Sequence, residues 1–244
     1  MYLTIDIVEA MINNNCYFEG STTYFSKNSI KGYDLIEHAY DLLNNNNEYY
    51  LSDVISNLRK AINYRVATLF EQLGIDNIHF DNLGKNRKLE KLEKLDIVKS
   101  LLINKLLKIR NGIEYNGESP PTQKECEELI DIVWYFYRST DRYCNKEPDS
   151  LIIEFNESDD YISLSFDFHS HQILKIDGRL PSNYLTEQKI DGAILLHNYV
   201  NKDLNLSQIN SHSTAFSCEI NVSELDSYFE IYSIALCEWG YSLL

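Results

Sequence analysis

Apolar positions between residues 30 and 142 recur at intervals of three and four, the spacing of one face of a helix. Leu35, Ile36, Ala39, Tyr40, Leu42 and Leu43 follow Ile30 and stop at the run Asn44 to Asn47, which predicts a helix over 30–43 and then a loop. Val54, Leu58, Ala61, Ile62, Arg65, Val66, Leu69 and Leu73 predict a longer second helix, with Ser52 in N-cap position and Gly74 placed to stop it. After a loop from Asp76 to Gly84, the series Leu89, Leu92, Leu95, Val98, Leu102, Leu106, Ile109, Ile113 meets no glycine or proline and predicts one long third helix. Asn116-Gly117 and Pro120-Pro121 end it. Thr122 and Glu125, spaced as a capping box, open a fourth whose core face is Leu129, Ile132, Val133, Phe136 and Tyr137, through about Arg142. Short loops between these helices predict an antiparallel bundle over 30–142. The first thirty residues, with an apolar opening from Leu3 to Ile12 and a break at Asn13 to Asn15, carry no assignable pattern.

The pattern changes at Asn145 to Pro148. Leu151 to Phe155 and Tyr161 to Phe168 alternate as strands across a polar turn, Glu157 to Asp160, and Ile173 to Ile176 predicts a third strand ending at Asp177-Gly178. Residues 186–200 fit helix and strand equally. Phe216 to Val222 alternates, and Ser223 with Asp226 is placed to cap a last helix through Trp239. The resulting fold class is mainly α: a helical bundle with an irregular N-terminal lead, residues 1–147, followed by a smaller acidic α+β domain, residues 148–244.

With 9 glycines and 4 prolines in 244 residues, the turn content argues against a large all-β architecture. Cys16, Cys126, Cys144, Cys218 and Cys237 are odd in number and never form a CxxC pair, which fits reduced thiols. The acidic N-terminal stretch and the lack of an eighteen-residue apolar run point to a cytoplasmic chain without a membrane partner. The net charge of −15 is uneven: residues 1–148 hold 18 Lys+Arg against 22 Asp+Glu, whereas residues 149–244 hold 4 against 15. Within the first part, Lys85 to Arg110 carries nine basic residues against Glu90, Glu93 and Asp96. A local basic stripe thus survives in an acidic protein that would otherwise repel phosphate.

That stripe runs into Leu106-Leu-Lys108-Ile-Arg110-Asn111-Gly-Ile-Glu114-Tyr115-Asn-Gly117. An Arg followed by a polar residue near the end of a long helix of such a bundle resembles the signature of the HEPN superfamily, over roughly residues 30–142. Members are bundles of about four to five helices that commonly act as metal-independent ribonucleases. The resemblance implies Arg110, Asn111 and Tyr115 as catalytic positions, with Tyr115 standing where the family has histidine, and Lys105 and Lys108 as RNA contacts. It also implies a homodimer whose facing motifs form one groove and a place in a toxin–antitoxin, antiviral defence or stress system; the lack of cofactor motifs adds the expectation of no cofactor. Arginine suits phosphorane stabilisation because its two-donor fork stays charged. An unperturbed tyrosine, with a pKa near 10, is a poor base at neutral pH beside a histidine near 6.5, so reduced or absent cleavage is expected.

Two other readings of these residues stay open. Arg110 pairs with Glu114 in one of them, and the stripe is a solvated helix face whose lysines pair with Glu90 and Glu93. The bundle then serves as a non-catalytic dimerisation or interaction module, its acidic C-terminal domain binding a basic protein partner. Elsewhere, alternation along a strand would set Asp167, His169 and His171 on one face, a metal site only if His197 or His212 completed it, and the expectation is no metal. No glycine-rich phosphate loop, nucleophile elbow or HExxH helix occurs.

Overall fold

A computed structural model of the chain describes residues 1–4, 6–23, 27–44, 49–80, 83, 87–99, 101–155, 160–191, 193–202 and 213–241. The helices are α1 (Asp6–Asn13), α2 (Lys27–Leu43), α3 (Tyr50–Gln72), α4 (Lys88–Lys94), α5 (Leu101–Asn116), α6 (Gln123–Asn145) and α7 (Tyr228–Tyr241). The strands are β1 (Tyr2–Leu3), β2 (Asn15–Thr23), β3 (Lys146–Glu154), β4 (Tyr161–Phe166), β5 (Ile173–Pro181), β6 (Leu185–Thr186), β7 (Ile194–Leu195), β8 (His197–Asn201) and β9 (Ser213–Asn221). Two compact units result, one from Thr23–Glu147 and one from Met1–Thr22 with Pro148–Leu244. The asparagine run at 45–47 and the turn at 157–159 lie outside the described residues.

The expected mainly helical class is corrected by the sheets. One has six strands in the order β2-β3-β4-β5-β9-β8, and a second has three in the order β6-β1-β7. β1, β6 and β7 are two residues long, too short to show any period in the sequence. Sparse glycine and proline argued only against an all-β architecture, which this is not, and the sheet connections use other turn chemistry. A single 3-10 turn at Ser182–Tyr184 joins β5 to β6, and another at Val222–Glu224 leads from β9 toward α7, held by the Asn221 side chain accepting from the Ser223 amide at 3.1 Å. Ser223 therefore sits inside that turn, and the last helix begins only at Tyr228.

In the sheet-containing unit, hydrogen-bonded register aligns one buried face. Leu164 stands opposite Ile176 and Ile176 opposite Cys218, while Leu174 stands opposite Ile220. The alternate residues between them are more open, the period-two pattern of a half-buried antiparallel sheet. Phe166 and Phe168 meet Tyr228 and Tyr232 of α7, closing this core. Gly178 does not end a strand, as its sequence context predicted. β5 continues through it to Pro181, and a Cβ there would lie 2.2 Å from the Tyr161 carbonyl oxygen. The glycine serves close approach of backbones rather than a turn.

In the helical unit, α3 packs against α2, α5 and α6. Its core stripe, Leu58, Ala61, Ile62, Leu69 and Leu73, is buried, and Gly74 follows in the left-handed conformation (φ 57°) that stops the helix. The N-cap is Tyr49 rather than Ser52, which lies within the first turn. The capping box before α6 forms in both directions: the Thr122 amide donates to Glu125 Oε2 at 2.8 Å, and the Glu125 amide to Thr122 Oγ1 at 3.3 Å.

The single long helix expected over 89–113 is two. Asp96 adopts φ 55°, and the Ile97 amide reaches back to the Leu92 carbonyl at 3.0 Å, terminating α4 before α5 begins at Leu101. Leu95 and Val98 on either side of the break are both buried, so the apolar spacing runs on across it. An aspartate that tolerates the left-handed region does the work of a glycine.

Candidate functional site

The break divides the basic stripe. Lys85 lies outside the described residues. On α4, Lys91 is buried with Nζ 5.1 Å from the centre of the Phe80 ring, and Lys88 Nζ sits 4.5 Å from that of Phe70. These two cations are committed to aromatic faces inside the unit. Lys99 binds Asp96 Oδ1 at 2.6 Å across the break itself.

On α5 the candidates fall on more than one face. Lys105, Lys108, Asn111 and Tyr115 are all exposed, Tyr115 at 75%, and their spacing of three, three and four residues sets them along one flank. Ile103 and Leu106 are buried on another face. The backbone position of Arg110, four residues after Leu106, belongs to that second face by helical register, and five residues on a continuous helix separate it from Tyr115 by about 140°. The side chains of Arg110 and Glu114 lie outside the described residues, so their expected pairing does too. α5 thus gathers Lys105, Lys108, Asn111 and Tyr115 and leaves position 110 apart from them.

The C-terminal end of that flank is fixed. Gly117, in the left-handed region at φ 68°, turns the chain so that the Glu118 amide reaches back to the Gly112 carbonyl at 3.1 Å. Asn116 Nδ2 donates to Glu118 Oε1 at 3.3 Å. Beyond α5, the Glu125 carboxyl is held below its usual range by the Thr122 amide and hydroxyl first, and less by the Lys105 charge.

Sequence reasoning passed over a buried cluster in the same unit. Arg65 is fully buried, and its Nη2 lies 2.7 Å from Asp141 Oδ1. Its Cζ stands 4.1 Å from the centre of the Tyr137 ring and 5.8 Å from that of Tyr33. The Tyr33 hydroxyl donates to Asp141 Oδ2 at 2.6 Å, and the Tyr137 hydroxyl to the Ala61 carbonyl at 2.6 Å. Burial, then the hydrogen bond to Asp141, pushes the Tyr33 hydroxyl up to about 12. Burial likewise raises the Cys144 thiol, opposed by the Arg65 charge beside it. The signal was present: Arg65 occupies a core position of the α3 apolar series, where a cation requires a partner.

The histidine pair does not form the face that alternation implied. Residues 167–171 turn instead of continuing a strand. Asp167 Oδ1 accepts from the His169 and Ser170 amides at 3.0 and 3.1 Å, and Oδ2 from the Ser170 hydroxyl at 2.6 Å. His169 is exposed, while His171 is buried with Nδ1 hydrogen-bonded to the Tyr228 hydroxyl. Among the described residues no three His, Cys, Asp or Glu side chains are grouped to hold a metal; His212 lies outside them. Cys126, Cys144 and Cys218 are buried thiols, Cys16 a half-buried and Cys237 an exposed one. No helix among the described residues is long and apolar enough to cross a membrane.

The chain matches no protein family, no curated protein and no solved structure with which it was compared.

Proposed function

We propose that this is a cytoplasmic, HEPN-like RNA-binding protein that engages single-stranded RNA along the outward flank of α5. The observation that carries the reading is the alignment of Lys105, Lys108, Asn111 and Tyr115, all exposed, on one side of one helix. Two ammonium groups meet phosphates, the Asn111 amide reads or positions a base edge or sugar, and the Tyr115 ring offers a stacking platform of the sort single strands use. Cleavage through the RNA 2'-hydroxyl would require a proton acceptor near neutral pH close to the phosphate-gripping cation. Tyrosine replaces the family histidine and position 110 lies on another face of α5, so binding without turnover is the expected behaviour.

A second reading, a non-catalytic dimerisation module, draws on a different observation. α6 exposes Trp134 at 41% and Tyr135 at 67%, with Arg138 Cζ 5.7 Å from the centre of the Trp134 ring. Tyr135 and Arg138 border a cleft of about 370 Å3 with Ile103 and Ile132. Exposed aromatics beside an arginine are the composition of an interface centre. A mobility-shift and cleavage assay with the full chain separates the two. A shifted single-stranded RNA that stays intact supports RNA binding, whereas no shift together with a homodimer in light scattering supports the module.

A further inference from the structure

At one end of the six-stranded sheet, the starts of β5 and β8 and the end of β9 converge on a cleft of about 620 Å3. That volume lies within the range of small-molecule sites. The register explains the convergence: Ile173 stands opposite Asn221, and His197 opposite Glu219. The lining backbone is unusual. Three non-glycine residues among those described have positive φ, and two of them, His171 (49°) and Asn198 (51°), line this cleft. Asn198 falls within a register shift of β8 between His197 and Val200, an irregularity of the kind found where a strand re-aims side chains at a site.

The lining is more acidic than basic. No lysine or arginine is among the described residues that line the cleft, while Glu219, opposite Lys175 in register, does line it, and Glu224 lies with Oε1 3.5 Å from His197 Nε2. Asn198 Nδ2 donates to Glu219 Oε2 at 2.6 Å and so orients that carboxylate. The Asn221 side chain holds the turn that carries Ser223 and Glu224. His171, tied to Tyr228, makes a nearly buried polar wall, and Ile173, 45% exposed, supplies apolar surface beside it. Carboxylates and amide oxygens around an aliphatic floor select a positively charged head on a hydrocarbon stem.

We propose that this cleft binds a small organic cation, an ammonium or guanidinium group on a short alkyl chain. Such a group comes either from a free amine or from a lysine side chain of a peptide. Calorimetric titration of the full chain at about 150 mM salt with putrescine, agmatine and a blocked Gly-Lys-Gly tripeptide tests it, the tripeptide arm distinguishing the two sources. The expected result is saturable one-site binding of at least one probe. It should weaken at least tenfold in Glu219→Gln/Glu224→Gln and in Ile173→Trp, which fills the cleft from an exposed position, with melting temperature confirming that each variant is folded. Glu127→Gln/Glu128→Gln, on the exposed surface of α6, should bind as the wild type does. Absence of saturable binding by all three probes overturns the proposal. Equal weakening in the cleft and α6 variants overturns it too, because the cations would then be a diffuse atmosphere around an acidic protein.

Discussion

Arg65 and Asp141 join α3 to α6 through a 2.7 Å contact in which the guanidinium is fully buried and the carboxylate one-fifth exposed. The two ends are unequally provided for. Asp141 also accepts from Tyr33 and lies 3.5 Å from Arg138 Nη1, whereas Arg65 Nε and Nη1 have no oxygen or nitrogen hydrogen-bond partner among the described residues. Removing the carboxylate strands a buried charge; removing the guanidinium leaves a carboxylate that keeps other donors.

The asymmetry predicts an order of stabilities. Asp141→Asn should cost about 3 kcal/mol. Arg65→Met should cost clearly less, because its stem still packs on Tyr137 and no cation remains to be satisfied. Urea unfolding followed by helical circular dichroism measures both. Equal losses, or a larger one for Arg65→Met, would show that the ring contacts rather than the ion pair hold α3 to α6.

Two glycines test the backbone argument by contrast. Gly178→Ala places a Cβ 2.2 Å from a main-chain oxygen of the neighbouring strand, so β4 and β5 must separate, at a cost of about 2 kcal/mol or more. Gly117→Ala has nothing within 4 Å of its Cβ and meets only the left-handed φ of 68°, which costs about 1 kcal/mol. Thermal unfolding should rank Gly178→Ala below Gly117→Ala; the reverse would mean that the strand pairing adjusts freely.

Acid sensitivity should trace in part to the turn at Asp167. The Ser170 hydroxyl, then the Ser170 and His169 amides, hold this carboxyl below its usual value. A carboxyl depressed in the folded state stabilises the fold above its unfolded pKa of about 3.9 and loses that contribution as pH falls below it. Asp167→Asn should therefore lower stability at pH 7 while flattening its decline below about pH 4. Melting temperatures from pH 2 to 7 show this as two curves converging at the acid end. Parallel curves would mean that the turn does not depend on the carboxylate charge.

What the sequence disclosed depended on how local each determinant is. The Thr122–Glu125 box and the Gly74 stop are written in a few adjacent residues and appear as expected. The break at Asp96 was hidden because Leu95 and Val98 are buried on both sides, keeping the apolar rhythm intact. Gly178 read as a turn because its role is set by Tyr161 across the sheet, a partner seventeen positions away that no local pattern reveals. For the site, four of the five α5 positions share a flank by helical spacing alone. The divergence of position 110 follows from the helix continuing through Tyr115 to Asn116, which a motif read as a string does not convey.

The RNA-binding reading meets its most direct test in the salt dependence of affinity for single-stranded RNA, measured by fluorescence anisotropy for wild type, Lys105→Ala/Lys108→Ala and Tyr115→Ala. If α5 carries the contact, the double lysine variant should lower the slope of log K against log salt by about 1.4, from two lost phosphate contacts at about 0.7 each. Tyr115→Ala should weaken binding about tenfold with its slope unchanged. No measurable RNA binding by the wild type, or the same affinity and slope in all three proteins, would contradict the account.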